Sequence, residues 1–347
     1  MQARRLIGVL QKDATLTVAF QAIGPKPPAP FGFMTKIKGL RTLVTLTRYV
    51  WELLWRVPRY DVLHVFSAAH SAYVLWAVPA LAVAKLYGKR IILNYRDGRA
   101  DDHLSRSAFA VKTIRRMDAV VAPSDFLVDV FANHGLKAIS ISNILDPSAV
   151  RYRARRDLKP VFLHNRMLEP LYNVPCTLRA FQLIQQRYPD ASLTLAHDGR
   201  LRDALEALAR QLNLKNTRFI GVVPHAQIAA LYDSADVCLM SPDVDNMPGS
   251  VLECFAAGLP VVATNVGGIP YIATDGQTAL LVPKGDHEAM ARAAVRFLSD
   301  PDLVERVTKN AHESCSRYAE GPVRNQWSAL YRRLHEQPLY ADESARS

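Results

Sequence analysis

The chain has 347 residues, 49% of them hydrophobic and 22% charged, with 16 glycines and 21 prolines, a composition that excludes a disordered, collagen-like or low-complexity protein. At about 150 residues per domain, this length predicts two domains, each large enough to bury its own core. The formal charge of +11 comes entirely from residues 1–157, a bias suited to a phosphorylated substrate, an anionic lipid surface or nucleic acid.

The opening segment, QARRLIGVLQKD, reads as a helix leading into the apolar run LTVAFQAI at 16–23, read as a strand. It is not a signal peptide, because Gln11, Lys12 and Asp13 break the apolar stretch and no small-residue cleavage site follows. A doubly wound domain ordinarily opens with a strand and a glycine-rich loop, so the N-terminal domain is read as lacking its first strand. Residues 36–60 form a basic amphipathic helix, with Ile37, Leu40, Val44, Val50, Trp51, Leu54 and Trp55 among Lys36, Lys38, Arg41, Arg48, Arg56 and Arg59. Such a helix either packs on its own sheet with a solvated basic rim, or lies on an anionic membrane face with its tryptophans at the headgroups.

Strands at 61–67, 90–95, 119–124 and 138–143 then alternate with helical patterns. The window 72–84 is shorter than the ~20 residues of a spanning helix and contains Pro79, so it reads as a buried helix. The arginine-dense stretch RYRARRDLKP at 151–160 carries no apolar periodicity and is read as a linker. A second series follows at 159–165, 191–199, 217–223, 237–242, 260–265 and 279–283, with helices at 201–213 and 286–299. Short apolar runs rich in Val, Ile and Leu alternating with helices imply parallel sheets, hence two doubly wound α/β domains in tandem. The expected boundaries are 1–150, a linker at 151–158, 159–320, a helix at 321–336 crossing back to the N-terminal domain, and a tail at 337–347. Cys176, Cys238, Cys254 and Cys315 form no C-x-x-C pair, and no histidine stands at zinc-like spacing, so a reducing, cytoplasmic setting without disulfides is expected.

The densest chemical signal is DVDNMPGSVLECFAAGLPVVATNVGGIPYI at 243–272: an acidic loop after a strand, then Pro-Gly-Ser opening a helix. A helix N-terminus is an anion site, with phosphate the natural ligand. No G-x-S-x-G, G-x-G-x-x-G or P-loop is present, and no RNA or DNA motif accompanies the basic half. The stretch resembles the donor-binding signature of the retaining GT-B glycosyltransferases of family 4, in which two glutamates flank seven residues; Asp245 and Glu253 occupy those positions. SNILD at 142–146, DGR at 198–200 and RFIGVVPHAQIAALYDSADV at 218–237 extend the resemblance over most of the chain.

The resemblance implies two Rossmann-like domains facing a cleft. Glu253 would bind the ribose hydroxyls of a UDP- or GDP-linked sugar, and Asp245 the hydroxyls of the transferred sugar. The amides of Met247, Pro248-Gly249-Ser250 and Val251, next to Asn246, would meet the sugar and diphosphate, with Gly221 at the same donor site. Arg166 matches the arginine that pairs with the diphosphate. A capping box, with Ser250 as N-cap and Glu253 at N3, is the structural alternative. The family's lysine falls near Tyr172, a missing charge that Arg200 would have to supply. The family's histidine corresponds to Arg96, which cannot act as a base but can hold an acidic acceptor or a donor phosphate; its neighbour Asp97 either accepts a proton or pairs with Arg96 or Arg99. Acids at Asp101 and Asp102 beside His103 fit a helix start better than a metal site, and neither metal nor cofactor is expected. The implied function is retaining transfer of a sugar to a glycan or lipid-linked acceptor in bacterial surface polysaccharide or glycolipid synthesis, at the inner membrane face. The alternative is a catalytically impaired GT-B protein acting as a scaffold in glycan assembly.

Overall fold

The computed structural model describes residues 2–22, 38–145 and 150–336. Ile23, Lys36, Ile37, Asp146 and the expected tail at 337–347 lie outside the described residues, as do the side chains of residues 38–40. The chain divides into two units, one running to Ser142 and resuming at Gly321, the other comprising Asn143–Glu320.

The first unit contains α1 (Gln2–Leu10), α2 (Lys38–Arg56), β1 (Val62–Ser67), α3 (Val78–Leu86), β2 (Arg90–Tyr95), α4 (Ala100–Arg106), α5 (Ala108–Ile114), β3 (Ala119–Ala122), α6 (Asp125–Asn133) and β4 (Ile139–Ser140). The strands pair in parallel in the order β1-β2-β3-β4. Every side chain of β3 is buried, as are all of β2 but its first, which is why their sequence shows no polar alternation. Helix from Tyr73 through Leu86 turns Tyr73, Ala77, Ala80 and Ala84 fully inward. No described helix is long and apolar enough to cross a membrane.

Two expectations fail here. Residues 16–22 form no strand. An apolar run becomes a strand only where a neighbour takes up its backbone groups, and among the described residues β1 is paired on its β2 side alone. A cavity of about 960 Å³ instead lies along β1, lined by α1, residues 15–22 and α2, with Leu6, Leu10, Leu53 and His64 in its wall. The arginine-dense stretch, read as a linker, is packed against the second unit. Arg155 is 5% exposed and donates to the carbonyls of Ala257 (2.6 Å), Tyr232 (2.8 Å) and Ala235 (3.2 Å). Both terminal nitrogens of this buried guanidinium meet carbonyls at or just past helix C-termini, while its Nε has no partner among the described residues; burial lowers its pKa to about 10.

The second unit runs β5 (Val161–Asn165), α7 (Val174–Arg187), β6 (Ser192–Ala196), α8 (Arg202–Gln211), β7 (Thr217–Gly221), α9 (Ile228–Asp233), β8 (Val237–Met240), α10 (Gly249–Ala256), β9 (Val261–Thr264), α11 (Ile269–Ile272), β10 (Leu280–Val282), α12 (His287–Ser299) and α13 (Pro301–Ser314). Its parallel sheet has the order β10-β9-β8-β5-β6-β7. The first strand, β5, thus sits between β6 and β8, and connections leave it in both directions. In such a sheet, loops at the carboxyl ends of the two strands that flank the reversal diverge and leave a crevice for ligands. The final helix, α14 (Glu320–Glu336), belongs almost wholly to the first unit, where Ser328 donates to Asp13 (2.6 Å) and Tyr331 bonds His64 Nδ1 (2.6 Å).

Candidate active site

The crevice between β5 and β8 brings Arg166 and Asp245 together, although 79 residues separate them. Arg166 follows β5 directly, and Asp245 stands in the loop between β8 and α10. Arg166 Nη2 donates to Asp245 Oδ2, and the two side chains are only 18% and 10% exposed. Burial raises the Asp245 pKa above the ordinary aspartate value, although the Arg166 charge and the Asn246 amide hold it back. The Arg166 guanidinium also lies over the Tyr172 ring, 4.3 Å from its centre, while its Nε has no protein partner. Tyr172 therefore contributes a face for the guanidinium where the resemblance implied a second positive charge.

Short links fix the loops that carry this pair. The Asp243 amide donates to the Leu171 carbonyl (2.8 Å), Asn173 Nδ2 to Asp243 Oδ1 (2.9 Å), and Ser241 Oγ to the Asn173 carbonyl (2.8 Å). From below, the Gly268 amide donates to the Asp245 carbonyl (2.8 Å). A Cβ on Gly268 would stand 1.6 Å from the Asn246 carbonyl oxygen, and one on Gly267 would stand 2.2 Å from that of Asp245. These two glycines let β9's following loop touch the backbone of the acidic loop. They were not read as site residues, although the Gly-Gly pair directly after an apolar strand was a visible sign of close backbone approach.

Helix α10 starts at Gly249 after an extended Pro248, and Ser250 lies inside its first turn, with Oγ donating to Met240 Sδ (3.7 Å). The capping box is thus not formed: Ser250 is not the N-cap, and Glu253 is the fifth helical residue. Glu253 instead accepts from the Tyr232 hydroxyl (2.7 Å), which in turn accepts from Asn165 Nδ2 (2.6 Å). Met247 is buried, and its sulfur takes the Asn143 amide (3.4 Å). Asn246 is 8% exposed.

The remaining predicted residues have other partners. Arg200, 71% exposed, is ion-paired to Glu169 (2.9 Å) in a turn where Gly199 packs against the Leu168 backbone. Gly221, at φ +72°, ends β7, and its carbonyl accepts the His197 amide (2.7 Å). Arg96 and Asp97 belong to the first unit. Arg96 is partly buried, with its guanidinium over the Phe66 ring (5.7 Å), and desolvation lowers its pKa to about 10. Burial pushes Asp97 up, but bonds from Arg99 and the Ala69 amide outweigh it and bring its pKa to about 2. Asp97 therefore takes the ion-pair role with Arg99. Asp102 pairs with Arg106 and His70, Asp101 with His134, and His103 with the Tyr95 hydroxyl.

Residues 151–314 match the family of glycosyl transferases group 1. A glycogen synthase of Mycobacterium tuberculosis is 28% identical over 290 residues, covering 79% of this chain and 68% of its own length. Among solved structures, the sucrose-phosphate synthase of Thermosynechococcus elongatus superposes with a TM-score of 0.77 at 19% identity, over 96% of this chain and 92% of its own. Anabaena HepE in complex with UDP-glucose superposes with a TM-score of 0.70 at 17% identity, over 82% of each chain.

Proposed function

We propose that the chain is a group 1 glycosyl transferase, the family whose model matches residues 151–314, and that it transfers a sugar from a UDP- or GDP-linked donor, with retention, to a glycan or lipid-linked acceptor. The observation that carries this reading is the buried Arg166–Asp245 pair at the β5/β8 reversal, with the start of α10 immediately downstream. The donor's diphosphate takes the place beside Arg166 and the amides that open α10, where a fixed guanidinium and a helix N-terminus offset negative charge. Asp245 holds hydroxyls of the transferred sugar, and Glu253 holds those of the ribose. As the acceptor hydroxyl oxygen bonds the anomeric carbon, the bond from that carbon to the phosphate oxygen breaks; the nucleoside diphosphate leaves with the bonding electrons, its freed oxygen takes the acceptor's proton, and Arg166 stabilises the charge that it gathers. Arg166 and the amides opening α10 are the groups this reading assigns to that stabilisation, in a metal-independent transfer.

The basic first unit takes the acceptor. On α2, Tyr49 and Leu53 face the core, while Leu43, Trp51 and Trp55 are 61%, 69% and 67% exposed. With Arg59 over the Trp55 ring (4.7 Å), this face suits an anionic bilayer surface, supporting work at the cytoplasmic face of a membrane in surface polysaccharide or glycolipid assembly.

Calorimetric titration with UDP, GDP, ADP and their sugars tests the donor site. One nucleotide family binds, and Glu253→Ala abolishes the binding. A second reading, a catalytically impaired partner or scaffold in glycan assembly, draws support from Asp97, whose carboxylate is committed to Arg99. A folded chain that binds no nucleotide sugar overturns the enzyme reading in its favour.

A further inference from the structure

Tyr232 stands on α9, in the stretch 218–237 but with no role assigned to it there; it is fully buried and its hydroxyl reaches the Glu253 carboxylate. The direction of the contacts follows from chemistry. An ionised carboxylate only accepts, so the tyrosine proton must point to Glu253 Oε2. The phenol oxygen then accepts, and only the amide nitrogen of Asn165 can supply that proton. Asn165, the last residue of β5, is 4% exposed, and its amide donating to the phenol oxygen sets the order Asn165 to Tyr232 to Glu253. Arg155 Nη2 holds the Tyr232 carbonyl from behind (2.8 Å), so the ring is set in place at both ends.

We infer that Tyr232 is a positioning residue for nucleotide recognition: its hydroxyl occupies Glu253 Oε2, leaves Oε1 as the oxygen offered to the ribose diol, and gives the site its preference for a ribonucleotide over a deoxyribonucleotide. The inference rests on Glu253 as the ribose-binding residue. A carboxylate anchored by one charge-assisted bond presents its second oxygen in a single orientation, whereas an unanchored one must be ordered when the nucleotide arrives. Because Asn165 ends the strand that carries Arg166, the relay also ties the ribose contact to the strand that presents the diphosphate contact.

The test uses the full chain and calorimetry with UDP, GDP and ADP, followed by the 2′-deoxy and 3′-deoxy forms of whichever binds. The wild type favours the ribonucleotide. Tyr232→Phe weakens ribonucleotide binding on the order of tenfold while the deoxy forms change little, so the preference collapses. Asn165→Ala keeps the hydroxyl but frees its direction, and gives the same collapse in weaker form even if Tyr232→Phe folds poorly. A preference that survives both variants overturns the role of Tyr232, and the reading of Glu253 stands if Glu253→Gln removes the preference. A preference that survives Glu253→Gln overturns the ribose assignment itself, and the inference with it.

Discussion

Replacing Arg166 with methionine isolates the electrostatics of the candidate site. The substitution leaves the Asp245 carboxylate, 10% exposed, without its guanidinium. Removing one member of a buried pair costs about 3–5 kcal/mol, since an uncompensated charge remains. The pH dependence follows from the direction of the Asp245 shift. Its folded pKa already lies above the unfolded value, so its burden is absent below the unfolded pKa and is fully present above the folded one. Without Arg166 the folded value climbs further. The variant's deficit therefore shrinks as pH falls from 7 toward 5, by up to about 1.4 kcal/mol per unit wherever Asp245 is protonated in the variant alone. Urea unfolding can locate the effect, because all four tryptophans, Trp51, Trp55, Trp76 and Trp327, belong to the first unit. The far-UV circular dichroism transition should move while the tryptophan fluorescence transition stays. Arg166→Met with Asp245→Asn should recover most of the loss. A deficit below about 1 kcal/mol, or one equal at pH 5 and pH 7, would refute the picture of a dry, mutually compensated pair.

Gly268→Ala should displace the acidic loop, because its Cβ would overlap the Asn246 carbonyl; about 1–3 kcal/mol of lost stability and lost nucleotide binding are expected, and wild-type binding would contradict the contact. His64, whose pKa burial and the Arg96 charge lower to about 3, stays neutral in the fold. The stability it confers is complete above the unfolded histidine value and is lost as pH falls through that value toward 3. His64→Phe should therefore make the first unit's acid destabilisation shallower by about one proton, read through Trp327, which stacks on His64 at 4.7 Å; an unchanged slope assigns the acid sensitivity elsewhere. Trp51→Ala with Trp55→Ala should weaken cosedimentation with anionic phospholipid vesicles while leaving nucleotide titrations untouched, and undiminished vesicle binding removes the membrane from the proposed function.

The central strands of the second unit, β8 and β9, were legible because buried parallel strands read as apolar runs, and the loops after β5 and β8 were marked by their charged residues. What the linear order hid were contacts set by strand order. Nothing local to Tyr232 or Asn165 announces Glu253, since they meet only because β5 and β8 are neighbours. Ser250 and Glu253 satisfied a local capping rule, but the helix begins at Gly249 and leaves the pattern without its geometry. The run at 16–22 had strand composition, but pairing is a property of two segments and cannot be read from one. Arg155 was misjudged for the converse reason, because an arginine is polar by composition but its burial depends on carbonyls that lie 77 to 102 residues downstream.

That arginine bears on how the protein can be cut. Residues 151–156 enter the second unit as part of its packing: the Arg153 carbonyl sits where a Cβ on Gly258 would come within 2.6 Å, and Tyr152 lies against His312 at 4.2 Å. A fragment begun at residue 159, the apparent edge of the α/β rhythm, would strip the terminal carbonyls of two helices of their shared donor and open the groove that Tyr152 fills. One begun at Asn143 keeps both, so the natural seam for dissecting the chain is the short stretch after β4 rather than the arginine-rich segment that looks like a hinge.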